Sequence, residues 1–155
     1  MRKIMQQIKK LISILFIASS VSLSSAESPS NPALEKEKDL QTRITLSGVA
    51  VENWLKIADG GNYEASWDAA SDITHDRINK KDWERILQKT REPLGAVNKR
   101  SILDIRAAKD PKGMPAGDYV VYFYNTSFAK KPVGYELVTL YLQNGDWKVV
   151  TYQVD

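Results

Sequence analysis

The stretch Tyr135–Val154, YELVTLYLQNGDWKVVTYQV, decides the fold of this 155-residue chain. Each half alternates apolar and polar residues with a period close to two, which is typical of half-buried β-strands. Asn144-Gly145 lies between the halves, and Asn-Gly is the preferred pair for a two-residue type I′ hairpin turn. The stretch therefore predicts two antiparallel strands, over residues 135–142 and 147–154.

The two-residue turn also fixes which residues face each other, because the side chains of a strand alternate between its two faces. It places Leu140 opposite Val149 and, further along the same face, Glu136 opposite Gln153. This face is the more apolar of the two, so we expect it to pack on helices.

The opposite face of the hairpin carries three tyrosines and a lysine in this register. Tyrosine combines apolar area with a polar tip, a combination that is enriched at protein interfaces. We expect this face to be solvated or to form an interface, with a protein partner or with a second copy of the chain in a homodimer. The candidate interface residues are Tyr135, Tyr141 and Tyr152.

Two further strands precede the hairpin. Residues 119–126, YVVYFYNT, are dense in aromatic and β-branched residues and predict a central strand. Before them, Leu103, Ile105 and Ala107 alternate with charged residues, which predicts another strand. The C-terminal part of the chain is therefore expected to form a four-stranded antiparallel sheet.

Helical patterns fill the region before residue 95. Apolar residues recur every three or four positions from residue 40 to residue 58, and Gly60-Gly61 then ends the first helix. Asn62 can cap a second helix, and Asn79 with Asp82 resembles a capping box at the start of a further one. Helices followed by strands predict an α+β domain, with the helices covering one face of the sheet.

The first 26 residues have the pattern of a signal peptide. A basic segment, MRKIMQQIKK, precedes the apolar run over residues 11–21, which is shorter than the ~20 residues that a bilayer span needs. Ser24 and Ala26 are small residues that suit a cut after Ala26. An uncleaved N-terminal anchor is the alternative. The predicted organisation is a signal peptide over 1–26, a flexible Pro-containing spacer over 27–34 and one domain over 35–155.

The formal charge of +3 belongs to that N-terminal segment. Four of the 22 Lys and Arg residues precede residue 27 and no acidic residue does, so 18 bases and 19 acids remain. The remainder has a net charge of −1 and no long basic run, so we do not expect nucleic-acid binding. We predict an exported protein, periplasmic or extracellular, without a membrane span after cleavage. The chain has no cysteine and so no disulfide.

Three segments resemble an uncharacterised family of bacterial exported proteins, catalogued as domain of unknown function 4019. They are VENWLKIADGGNYEASWDAAS, REPLGAVNKRSIL and GDYVVYFYNTSFAKKPVGYELVTLYLQNGDWKVVTYQV. The last of them is also similar to the final hairpin of the NTF2-like (cystatin-like) superfamily. That resemblance implies helices packed on a curved four-stranded sheet around a cone-shaped cavity. It supplies no catalytic residues, and the fold hosts enzymes, binding modules and dimerisation modules alike.

Glu136 and His75 are the candidate catalytic residues. Glu136 is predicted on the apolar face near the cavity, where a carboxylate could act as a base. Steroid-isomerase-type members of the superfamily pair such an acid with a tyrosine donor. Alternatively, Glu136 is hydrogen-bonded to Gln153 or to an arginine and has a structural role. His75, in DITHDRI, is either a general base or metal ligand, or part of an exposed turn flanked by acids.

Aromatic residues supply the candidate ligand-binding positions. Tryptophans usually pack in cores, but some can line a cavity for an apolar ligand. With Glu136, these candidates are Trp54, Trp67 and Tyr124. No P-loop, G-x-S-x-G, H-E-x-x-H or EF-hand pattern occurs, and we predict no metal or cofactor.

Two functions follow from these patterns, and a structural subunit of an envelope assembly is a third option. The first is a non-catalytic module that binds a small apolar molecule or a protein. The alternative is a cofactor-free enzyme of isomerase or lyase type that uses a cavity carboxylate and a tyrosine.

Overall fold

The computed structural model describes residues 31–155. The predicted signal peptide, its cleavage site after Ala26 and residues 27–30 of the predicted spacer lie outside this range. The described part has four α-helices, a short 3₁₀ turn over Glu92–Leu94, and four strands. The helices are α1 (Pro32–Asp59), α2 (Tyr63–Asp68), α3 (Asp72–Arg77) and α4 (Lys80–Thr90); the strands are β1 (Val97–Lys109), β2 (Asp118–Phe128), β3 (Gly134–Gln143) and β4 (Asp146–Val154).

Side-chain caps set the starts of the helices. Asn62 accepts a hydrogen bond from the backbone of Ala65, and Asn79 accepts one from Asp82, so both predicted caps are confirmed. Helix α1 begins at Pro32, inside the predicted spacer, because Asn31 caps it and proline suits the first turn of a helix. No helix within residues 31–155 combines the length and the apolar character needed to cross a membrane.

The sheet is antiparallel and open, in the order β1-β2-β3-β4. The helices pack on one of its faces, so the predicted α+β architecture of helices on a four-stranded antiparallel sheet is confirmed. Trp54 of α1 lies at the centre of the core, in contact with Trp83 of α4 and Tyr152 of β4. Other core residues include Val51, Leu55, Leu87, Val120, Tyr122, Val138, Leu140 and Val149.

The predicted hairpin register is correct near the turn and wrong beyond it. Leu140 faces Val149 as expected, but Thr139 faces Thr151, because Val150 is an extra residue in a β-bulge. The bulge shifts the remaining pairs by one position. Tyr152 therefore lies on the helix-facing side and is only 8% exposed, instead of on the outer face as predicted.

The same bulge changes the neighbour of Glu136. The predicted partner was Gln153, whereas Val154 lies opposite Glu136 in the structure. Glu136 itself keeps its predicted position on the helix-facing side of the sheet and is buried.

Candidate functional site

The Glu136 carboxylate accepts hydrogen bonds from three side chains. Arg100 donates from Nε to Oε2 at 2.6 Å and from a terminal nitrogen to Oε1 at 2.9 Å. The Tyr152 hydroxyl donates to Oε1 at 2.6 Å, and the Thr126 hydroxyl donates to Oε2. The side chain of Glu136 has no exposed surface. Both carboxylate oxygens are thus engaged by protein donors, and the side chain is shielded from solvent.

The sheet brings these groups together across strands that are distant in the sequence. Arg100 on β1 pairs with Thr126 on β2, which lies two positions from the partner of Glu136 on β3. All of these residues face the helices, because side chains on one face of neighbouring strands line up. Tyr152 joins them only because the β4 bulge turns it inward.

Arg100 links this carboxylate to a second one at the C-terminal end of α1. It donates to both oxygens of Asp59, at 2.8 and 2.9 Å. Arg91 donates to the same Asp59 at 3.0 Å and to the carbonyl of Gly95 at 2.7 Å, and it stacks over the ring of Phe128. We call Asp59, Arg91, Arg100 and Glu136 the ion-pair cluster. Its formal charges sum to zero.

The ionisation of these groups is fixed by their neighbours. Burial alone would raise the pKa of Asp59, but the hydrogen bonds and charges of Arg100 and Arg91 outweigh it and hold that pKa below its usual value of 3.8. Burial, reinforced by the charge and hydrogen bond of Glu136, raises the pKa of Tyr152 well above 10.0. Asp59 is therefore held in its charged form, and Tyr152 stays a neutral donor at physiological pH.

An open cleft of about 430 Å³ lies beside the cluster, between α1 and β1. We call it the α1–β1 cleft. Leu55 and Ile102 provide apolar walls, and Ile102 is 54% exposed. The remaining lining residues are Glu52, Lys56, Asp59, Arg100 and Tyr124.

Tyr124 is the one sequence-predicted ligand-binding residue that lines the α1–β1 cleft. Its ring lies 5.9 Å from the Arg100 guanidinium, and its hydroxyl makes no hydrogen bond within residues 31–155. Burial raises the pKa of this hydroxyl, so it remains protonated and can both donate and accept. It is a polar group still available to a ligand.

The other ligand-binding candidates lie elsewhere. Trp54 is 3% exposed, and its indole nitrogen donates to the carbonyl of Ser66 at 2.8 Å. Trp67 donates to the carbonyl of Ile78 at 2.9 Å. Neither tryptophan lines the α1–β1 cleft.

His75 is held by the helical layer and lies away from the cleft. Its ring packs on Trp67 with 4.0 Å between ring centroids, and Nε2 donates to the Trp67 carbonyl at 2.8 Å. Nδ1 lies 3.8 Å from a carboxylate oxygen of Asp72, the nearest of the two flanking acids that were predicted to accompany it. Residues 31–155 contain no group of three or more His, Asp and Glu side chains arranged to hold a metal.

The outer face of the sheet carries two of the predicted interface residues. Tyr135 is 55% exposed and borders a depression of about 370 Å³ with Leu103, Phe123 and Leu137. Tyr141 is half-buried against Tyr119, with 4.9 Å between ring centroids. An interface through Tyr135 and Tyr141 stays a prediction.

Sequence reasoning missed most of the ion-pair cluster. The pair Lys99-Arg100 reads as solvated, but the Arg100 side chain is only 16% exposed, because Arg100 shares the inward face of β1 with Ile102. Arg91 and Asp59 lie in segments with a helical pattern, and nothing in that pattern indicates that they form buried ion pairs. The spacing of two between Arg100 and Ile102 is the one signal that could have placed the arginine inside.

The fold and site define an α+β domain with an open four-stranded sheet, a buried ion-pair cluster and an adjacent half-apolar cleft. Residues 50–152 match the model of a family described as Protein of unknown function (DUF4019). The chain belongs to this family. No curated protein and no solved structure matches the chain.

Proposed function

We propose that residues 31–155 form a non-catalytic binding module that takes a small, uncharged, amphiphilic molecule into the α1–β1 cleft. The observation that carries this function is the Tyr124 hydroxyl, which has no hydrogen-bond partner within residues 31–155 and lies in a cleft with apolar walls beside a cluster whose formal charges sum to zero. Pockets of this kind use apolar surface for affinity and a few polar groups for orientation.

The charge balance of the cleft selects against ionic ligands, because the formal charges of Glu52 and Lys56 on its lining also sum to zero. Arg100 is shared by Asp59 and Glu136, so an anion would compete with two carboxylates for one guanidinium. A cation would meet Asp59 only after displacing Arg100 or Arg91. A hydroxyl or carbonyl group can instead pair with Tyr124 and leave these ion pairs intact.

Two related fluorescent probes test the cleft. N-phenyl-1-naphthylamine is uncharged, and 1-anilinonaphthalene-8-sulfonate adds a sulfonate to the same ring system. We expect saturable fluorescence enhancement with the uncharged probe, loss of it in Ile102→Lys, and weaker binding of the sulfonate. Val49→Lys is the matched control, because Val49 is also an exposed apolar residue but does not line the cleft. Equal binding by wild type and Ile102→Lys would overturn the proposal.

An enzyme that uses Glu136 as a base and a tyrosine as a donor is the second candidate. The 2.6 Å hydrogen bond between Tyr152 and Glu136 favours it, since it brings an acid and a tyrosine together. However, Tyr152 and Glu136 are hydrogen-bonded to each other, and a substrate would have to displace Arg100 to reach the carboxylate. Isomerisation of 3-cyclohexenone to its conjugated isomer, lost in Glu136→Gln, would establish this alternative over the binding module.

The proposed setting is outside the cytoplasm, and the fold is proposed to be NTF2-like. The basic and apolar pattern of residues 1–26 supports export, and helices on one face of a bulged antiparallel sheet support the fold. Expression of the full chain in a bacterial host tests export. We expect an extracytoplasmic product whose measured mass equals that of residues 27–155. A full-length product in the membrane fraction would instead identify an uncleaved anchor.

A further inference from the structure

A second groove, of about 220 Å³, lies on the other side of the molecule from β1, between α4 and β4. The wall formed by α4 is apolar: it consists of Trp83, Ile86 and Leu87, and Ile86 is 46% exposed. Thr74 and Arg77 of α3 also line the groove. Its other wall is strand β4 over residues 150–153. We call it the α4–β4 groove. It shares no lining residue with the α1–β1 cleft.

The β4 wall of this groove is an open strand edge. Tyr135 and Asp155 exchange both backbone hydrogen bonds, so the alternation of an antiparallel pair directs the backbone groups of Gln153 and Thr151 toward β3. The N–H and C=O groups of Tyr152 and Val154 then point away from the sheet. Within residues 31–155 no backbone group pairs with them on that side.

The chain itself already uses the neighbouring part of this edge. Ala70 forms a parallel bridge with Val149, and the Ser71 N–H donates to the Val149 carbonyl at 2.8 Å. The Thr74 hydroxyl lies 3.0 Å from the carbonyls of both Val149 and Val150. Pairing stops there, so the edge beyond Val150 can accept another extended segment.

The two edge strands of the sheet, β1 and β4, differ in the features that prevent pairing with another strand. Strand β1 carries charged residues and a bulge at Leu103, two common features that prevent unwanted strand pairing. The free part of β4, Thr151–Val154, carries no charged side chain. An uncharged strand edge beside an apolar helix favours pairing with an extended peptide, the arrangement known as β-strand addition.

The groove also has one basic residue, which sets the charge of its occupant. Arg77 lines it, forms no ion pair with any carboxylate of the described chain, and contacts the sulfur of Met114 at 3.9 Å. An unpaired guanidinium at an otherwise uncharged groove is complementary to a carboxylate.

We propose that the α4–β4 groove binds an extended peptide segment of a partner protein. The segment adds a strand to β4 at Tyr152 and Val154, places an apolar side chain against Ile86 and Trp83, and pairs a carboxylate with Arg77. Backbone pairing supplies affinity, and the apolar and acidic positions supply specificity.

Selection from a phage-displayed library of random dodecapeptides on the folded protein tests this site. We expect enrichment of sequences with β-branched or aromatic residues near an Asp or Glu. The enriched peptide is then synthesised unmodified, with alternate backbone nitrogens methylated, and with its acidic residue changed to the amide. Methylation of the nitrogens that face β4 should weaken binding about tenfold or more, since it removes hydrogen bonds and adds bulk at the pairing edge.

Protein variants locate the binding. Ile86→Lys should abolish it, whereas Val49→Lys should not, and neither should change binding of the uncharged naphthylamine probe. Arg77→Gln should weaken the acidic peptide severalfold but leave its amide form unaffected, with Arg85→Gln as the control because Arg85 lies on α4 and pairs with Asp82. Failure to enrich any sequence, or enriched peptides that tolerate Ile86→Lys or full backbone methylation, would overturn the proposal. Each of these results is independent of the α1–β1 cleft.

Discussion

Arg100 forms a side-on, bidentate ion pair with Glu136: Nε donates to one carboxylate oxygen at 2.6 Å and a terminal nitrogen donates to the other at 2.9 Å. The same guanidinium also reaches Asp59 at the end of α1, so a single side chain joins the sheet to the helical layer. Removing one partner from a buried ion pair is costly, because it leaves the other charge desolvated and uncompensated.

Glu136→Gln is expected to lower the free energy of unfolding by about 3–5 kcal/mol, the usual cost of breaking a buried pair. Equilibrium urea denaturation at neutral pH measures it. Asp104→Asn is the control, since Asp104 pairs with Arg106 on the surface and its loss should cost no more than about 1 kcal/mol. Equal effects of the two substitutions would show that the cluster does not stabilise the fold.

Tyr152→Phe and Tyr124→Phe form a matched pair of buried tyrosines. The Tyr152 hydroxyl donates to a charged acceptor, so its removal should cost about 1.5–3 kcal/mol. The Tyr124 hydroxyl has no hydrogen-bond partner within residues 31–155, so the same change there should stay within about 0.5 kcal/mol. Tyr124→Phe should nevertheless weaken binding of the uncharged probe. A reversed order of stabilities in urea denaturation would contradict this assignment.

Stability should fall in acid because of Asp59. Its pKa is lower in the folded protein than the usual 3.8, so its contribution is complete above that value and disappears as pH falls through the lower folded pKa. Asp59→Asn should therefore be less stable than wild type at pH 7, and the difference should shrink below about pH 4. Urea denaturation between pH 7 and pH 2 checks this. A difference that stays constant over the whole range would refute the role of the ionised carboxylate.

His75→Ala should affect stability and leave ligand binding intact. The ring donates to the Trp67 carbonyl and packs on the Trp67 indole, so its loss should cost about 1–2 kcal/mol. Asp76→Asn, at an exposed neighbour, is expected to change stability by less than about 0.5 kcal/mol. Thermal denaturation and probe fluorescence, measured on the same samples, separate the two effects. Loss of probe binding in His75→Ala would assign His75 to the ligand site.

Patterns that act over a few residues were readable from the sequence. The Asn144-Gly145 turn, the caps at Asn62 and Asn79 and the change from helical to strand period all predict what the structure contains. The turn depends on backbone dihedrals, and each cap depends on a hydrogen bond between residues three positions apart. Such features are fixed locally, before any tertiary packing is known.

Only the tertiary structure determined the position of Tyr152 and the hydrogen-bond partners of Glu136. A single extra residue, Val150, turns Tyr152 from the outer face to the core. The Thr74 hydroxyl lies 3.0 Å from both carbonyls at that bulge, so a contact between α3 and β4 accompanies the feature. Arg100 and Asp59 likewise meet only because α1 packs on the sheet. The sequence determined the elements, because their signals are local. Packing determined the ion-pair cluster, because each of its charges is neutralised by a residue that lies far away along the chain.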